Sequence, residues 1–245
     1  MDDGSSWLEF GVFKGNSANV TASLITNLNL KFRYHGFDSF EGLPQDWLPQ
    51  GNEGKKIMGK AAFTLGGALP PVVEGVTLHK GWFKDTLGSF LKSQAQPHVI
   101  AGMNVDNDLY MGALEVLVMS QPFMVNDTVI HFHELRPKLF QDWPSDEARA
   151  LFDFLRLCPG TTLELLPISA RGVQEPAVFY ITSAGSRCDL AAFEAIRKKE
   201  YATDNWVDKA REGDVSIGAG AEDSKDMSLP TAKGRGVCWD IIIQS

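Results

Sequence analysis

Along the first 183 positions apolar residues come in short strand-like runs, and between the runs they return at helical spacing. Leu8, Phe10 and Val12 make one buried strand that breaks into a turn carrying Gly11 and Gly15. Asn16 or Ser17 can cap the helix that follows, Ser17 to Leu28, in which Val20, Leu24 and Leu28 share one stripe. Residues 32–38 form a second strand, Val76–His79 a third and His98–Val105 a fourth. A helix from Gly112 to Val125 turns Leu114, Leu117 and Val118 inward, and the fifth strand runs from Asp127 to Glu134 with His131 and His133 on one face. Asp146–Leu157 is a further helix, and Thr162–Ile168 and Pro176–Thr182 pair antiparallel around the turn at Ala170, Arg171 and Gly172. Strands alternating with helices predict an α/β fold with a doubly wound, mostly parallel sheet of about seven strands and a C-terminal antiparallel strand pair.

Two stretches depart from this alternation. Gly42-Leu43-Pro44 opens a long loop that ends at Pro70-Pro71, and its aromatics Phe40, Trp47 and Phe63 suit a lid over a pocket. Residues 1–183 read as one domain and 184–245 as an appendage, with a helix from Leu190 to Tyr201, a flexible middle rich in glycine, serine and acid at Gly213–Lys225, and a strand at Val237–Ile243.

Charge narrows the function classes. A formal net charge of −8 over 245 residues gives no basic footprint for nucleic acid and no attraction to an anionic membrane. No apolar run approaches the ~20 residues of a membrane span, and the acidic start is unlike a targeting peptide. Cys158, Cys188 and Cys238 are widely spaced and odd in number, which predicts buried free thiols and a reducing, cytoplasmic setting.

Candidate chemistry gathers at the strand ends. The turn after the first strand lacks the Gly-x-Gly-x-x-Gly spacing that seats a dinucleotide pyrophosphate, and the acidic Glu9 precedes it. Asp38 ends the second strand, where a carboxylate can accept ribose hydroxyls. Together these suit an adenosine cofactor without phosphate, such as S-adenosylmethionine, whose cationic groups favour a nearby carboxylate. Trp82 and Phe83 can stack on a purine. Asp106 and Asp108 end the fourth strand, in the crevice where open α/β sheets bind ligands.

The chain resembles the macrocin O-methyltransferase-like family of class I S-adenosylmethionine-dependent methyltransferases, which have a Rossmann-like sheet. The resemblance rests on Glu9-Phe10-Gly11-Val12 with Gly15 and Ser17, on residues Phe37 to Pro44, on Lys80-Gly81-Trp82-Phe83 with Asp85-Thr86-Leu87, and on Val105-Asp106 with Asp108-Leu109-Tyr110. It implies that Glu9, Gly11, Gly15 and Ser17 line the methionine end of the cofactor and that Asp38 holds the ribose. Ser39 with Trp82 or Phe83 would then lie near adenine, and Asp106 would face the transferred methyl. In relatives the aspartate matching Asp106 joins an acidic pair to bind magnesium; here that pair reads His133-Glu134. The implied metal ligands are Asp106, His133 and Glu134, holding magnesium, manganese or zinc. Relatives also carry helices ahead of the first strand that cover the acceptor and build dimers, whereas here that strand begins almost at residue 1. A homodimer is compatible with the resemblance.

The leading expectation is methyl transfer to a hydroxyl of a small molecule or sugar, with His133 or His131 as base and Asp106 and Glu134 as metal ligands or orienters. One alternative is a degenerate relative that binds the cofactor and acts as a regulatory or interaction module. Another, disfavoured by the glycine spacing, is a nicotinamide oxidoreductase.

Overall fold

A computed structural model describes residues 4–47, 58–94, 98–135, 146–166 and 177–202. They fall into two compact units that divide between Asp189 and Leu190. The first carries strands β1 (Ser5–Phe10), β2 (Arg33–Asp38), β3 (Val76–Lys80), β4 (Val99–Val105), β5 (Met124–Phe132), β6 (Thr161–Leu165) and β7 (Ala177–Ala184). Its helices are α1 (Asn16–Asn27), α2 (Phe83–Ser93), α3 (Tyr110–Ser120) and α4 (Asp146–Leu157). The second is represented by α5 (Leu190–Ala202), where the sequence places a helix. The expected flexible middle at Gly213–Lys225, the strand at Val237–Ile243 and the turn at Ala170–Gly172 lie outside the described residues.

The sheet runs in the order β3-β2-β1-β4-β5-β7-β6. Its first five strands are parallel, and β7 pairs antiparallel with both β5 and β6. This is the doubly wound sheet with a closing antiparallel pair that the alternation predicts. Strand order reverses between β1 and β4, so the ends of these two strands frame the crevice in which such sheets bind ligands. Phe10 lies opposite Val105 there. Phe10, Phe37, Phe132 and Phe179 from the strands and Leu87, Leu114, Leu117 and Phe154 from the helices are fully buried. Each such side chain contributes about 1.5–3 kcal/mol of burial.

Three features correct the sequence expectations. The α1 stripe faces solvent: Val20, Leu24 and Leu28 are 62%, 52% and 65% exposed, while Ala18, Ala22 and Ile25 are buried. Tyr34, Phe40 and Val12 fill the space beneath α1, so the helix sits closely only on its small residues. Its N-cap is Gly15 in the left-handed conformation, φ 78°, with no side-chain cap from Asn16 or Ser17. Cys158 and Cys188 form a disulfide, which overturns the expectation of free thiols and removes the cysteine argument for a reducing compartment.

The sequence expectation also lacked α2, although Leu87, Phe90 and Leu91 bury at helical spacing. Buried residues surround α3 on nearly every side, since it packs between α2 and α4. No described helix is long and apolar enough to cross a membrane.

Candidate functional site

Three strand ends are pinned together at the crevice. The Gly11 N–H donates to the Phe37 carbonyl at 3.0 Å, and the Asp106 N–H donates to the Phe10 carbonyl at 2.9 Å. Gly11 has φ 95°, and a Cβ there would lie 1.7 Å from the Asp106 carbonyl oxygen. Only glycine lets β1 leave the sheet this close to β4.

Asp38 ties the same turn to β2. Its Oδ2 accepts the N–H groups of Val12 and Phe13 at 2.9 and 2.8 Å, and its Oδ1 accepts that of Phe40 at 2.7 Å. Three of the roughly four lone-pair positions of the carboxylate are thereby used. One remains for a ribose hydroxyl, where two had been expected from the sequence.

A cavity of about 280 Å³ opens over these strand ends. Gly11, Asp38, Ser39, Trp82, Asp106, His133 and Glu134, all expected from the sequence, line it. So do Asn107 and Asp108, and so do Trp47 and Phe63 from the expected lid, with Phe13 beside them. Phe40 is buried in the core instead. Phe13 and Phe63 meet edge to face at 5.5 Å, and both hold positive φ, 46° and 62°. Bulky residues rarely adopt that conformation, and it recurs at ligand sites.

Four expected residues are not among the lining. Glu9 is fully buried, and its carboxylate accepts hydrogen bonds from Ser17, Tyr34 and Asn104. Burial raises its pKa, and those three bonds counter the rise. Ser17 is spent on Glu9, and Gly15 starts α1. Phe83 packs edge to face on Phe10 at 5.5 Å. Glu9 and Ser17 therefore bond to each other beneath the turn, outside the lining of the cavity.

At the β4 and β5 ends the carboxylates are bonded less completely. Burial, with Glu134 and Asp38 adding to it and His133 opposing it, pushes Asp106 up to about 6. Burial, then the charges of Asp106 and Glu134, push Asp108 up to about 7. Asp108 also holds φ 63°. His133 Nδ1 lies 3.1 Å from Glu134 Oε1 and 3.2 Å from Asp106 Oδ1. The hydrogen bond to Glu134 raises the His133 pKa against burial, and Asp106 adds to the rise. His131 shares its face, with ring centroids 6.4 Å apart, but its Nδ1 is bonded to Asn104 and burial lowers its pKa.

The expected metal site finds no support among the described residues. No group of three or more His, Cys, Asp or Glu side chains among them is arranged to hold a metal ion. The His133 ring nitrogen is shared between Asp106 and Glu134, and the hydrogen bond to Glu134 raises its pKa, whereas a metal ligand must be neutral. As arranged, this donor set does not fit a divalent ion. It does suit a cationic cofactor, because Asp38, Asp106, Asp108 and Glu134 all face the cavity beside the partly exposed Trp82.

Asp108, to which the resemblance assigns no role, also lines the cavity. Its signal was a second carboxylate two positions beyond Asp106 at a strand end.

Comparison with known proteins bears on the fold and the family. A structure of CalS11, a calicheamicin methyltransferase, is 22% identical, with 72% of each chain covered and a TM-score of 0.50. A second CalS11 structure, described as TDP-rhamnose 3'-O-methyltransferase, is 25% identical over 72% of each chain, with a TM-score of 0.47. The O-methyltransferase NovP is 16% identical, with 73% of this chain and 72% of that chain covered and a TM-score of 0.48. No curated protein matches significantly. The sequence pattern of a methyltransferase domain matches residues 8–135, just over half of the chain. The protein thus belongs to this methyltransferase domain family, and it is an S-adenosylmethionine-dependent methyltransferase.

Proposed function

We propose that this methyltransferase acts on a hydroxyl group of a small polar acceptor, with sugars as the leading class. The observation that carries the proposal is Asp108, a cavity-lining carboxyl pushed up to about 7 by burial and acidic neighbours. A general base works best when its pKa lies near the working pH, and an acceptor hydroxyl must lose its proton. Resemblance to the macrocin O-methyltransferase-like motifs supports the same class.

When bound, S-adenosylmethionine supplies a methyl group on an already activated carbon. The protein then has two tasks, alignment and proton removal. Asp108 takes the hydroxyl proton onto its carboxylate. Asp106 and Glu134, held by the His133 ring between them, present negative charge to the cationic part of the cofactor. Trp82 offers an apolar face for a purine, Asp38 one free lone pair for a ribose hydroxyl, and Ser39 a hydroxyl beside it. His133 is assigned to holding carboxylates, because its Nδ1 lies between Asp106 and Glu134 at 3.2 and 3.1 Å.

The test is incubation of the protein with methyl-labelled cofactor and a cell extract, followed by mass spectrometry. Label on the oxygen of a small hydroxylated product is the expected result. Label on nitrogen, carbon or macromolecules alone would overturn the acceptor class.

A further inference from the structure

We propose that Glu147 is a positioning residue: from inside the protein its carboxyl fixes the chain segment that presents His133 and Glu134 to the cavity, through the hydrogen bond that Oε2 accepts from the Glu134 N–H at 2.9 Å. This deepens the methyltransferase reading by naming what orders one wall of its site.

β5 ends at Phe132. Beyond it the His133 N–H donates to the Val105 carbonyl at 3.0 Å, and the Leu135 carbonyl accepts the Ala177 N–H at 2.8 Å. The Glu134 N–H between these two bonds is taken by Glu147, from the first turn of α4. The side chains of His133 and Glu134 then meet at 3.1 Å, with Asp106 3.2 Å from the same ring nitrogen.

Stability alone does not explain a glutamate here. Glu147 is 0% exposed, and its Oε1 has no hydrogen-bond partner. A buried carboxyl with an unused oxygen is costly, and an apolar residue of similar size avoids that cost. Burial, reinforced by Glu134, Asp106 and Asp108, keeps the group neutral, so glutamine is its close mimic.

The test uses the full isotope-labelled chain, with the ring signals of His133 identified by their loss in His133→Ala. Glu147→Gln should leave these signals where the parent has them. Glu147→Leu should displace them while the melting temperature stays level or rises. A parent-like His133 signal in the leucine variant overturns the proposal, as does an equal displacement in both variants. Should the leucine variant not fold, amide exchange at Glu134 decides the matter. Slow exchange in both parent and Glu147→Gln supports the hydrogen bond, and exchange at the rate of an open loop refutes it. Failure of the parent to bind S-adenosylhomocysteine would count against the cofactor assignment, while the ring signals would still report on Glu147.

Discussion

Two groups of carboxylates stand on either side of the crevice, and they differ in how far the protein saturates them. Glu9 and Asp38, on β1 and β2, each receive three hydrogen bonds from the protein. Asp106 and Asp108, beyond the end of β4, are pushed up to about 6 and about 7 by burial and by neighbouring carboxylates, Glu134 and Asp38 for the first and Asp106 and Glu134 for the second. All four belong to the motifs that carry the family resemblance. A motif residue can thus hold the turn or stay open to a ligand, and hydrogen-bond saturation grades the two: the more bonds a carboxylate accepts from the protein, the less capacity it keeps.

The largest expected effect would break this comparison if it failed. Asp108→Asn keeps the shape of the side chain and removes its basicity. Methyl transfer to the acceptor identified by mass spectrometry should fall on the order of 10²–10⁴-fold while the variant stays folded. Retained turnover would remove Asp108 from the reaction.

Glu9→Ala should behave in the opposite way. It strips a partner from Ser17, Tyr34 and Asn104 inside the protein, so chemical denaturation should show a loss of about 2–4 kcal/mol. Intact stability with lost cofactor affinity would return Glu9 to the binding site.

The pH dependence sharpens the comparison without any mutation. Asp106 and Asp108 titrate higher in the folded chain than their ordinary value of 3.8. The folded state therefore binds more protons over this range. Their contribution to stability is fully present below about pH 4 and is lost as pH rises through about 6 and 7. His133, also raised, adds a loss in the same direction above its ordinary 6.5. Parent denaturant midpoints minus those of Asp108→Asn should therefore give a margin that falls from pH 5 to pH 8. Turnover should rise over the same interval as Asp108 loses its proton. A margin that grew with pH would contradict the assigned shifts.

The smallest effect expected is none at all. Because His133 is engaged with Asp106 and Glu134, a chelator should leave the melting temperature and the affinity for S-adenosylhomocysteine unchanged. A fall in either would show that a metal displaces the imidazole.

Most of the fold was legible in the sequence because period and punctuation are local properties. Val99–Val105 and Asp146–Leu157 read directly from apolar runs and helical spacing, and the ligand crevice followed from alternation alone. α1 was legible as a helix but not in its orientation. Its larger apolar residues suggested a buried stripe, and only packing against Tyr34 and Phe40 selected the alanine face. The disulfide was illegible for a related reason, since Cys158 and Cys188 are 30 residues apart and spacing says nothing of which strands bring them together.

By itself the sequence determined that an alternating α/β chain would place carboxylates at the ends of its second and fourth strands, because strand periodicity and glycine turns act within a few residues. Tertiary structure alone decided which of those carboxylates stays available. It buried Glu9 under Tyr34 and Asn104, spent Asp38 on three backbone N–H groups and turned the His133 ring onto Asp106 and Glu134. Hydrogen-bond saturation and desolvation depend on neighbours distant in sequence, and those neighbours exist only once the sheet has closed.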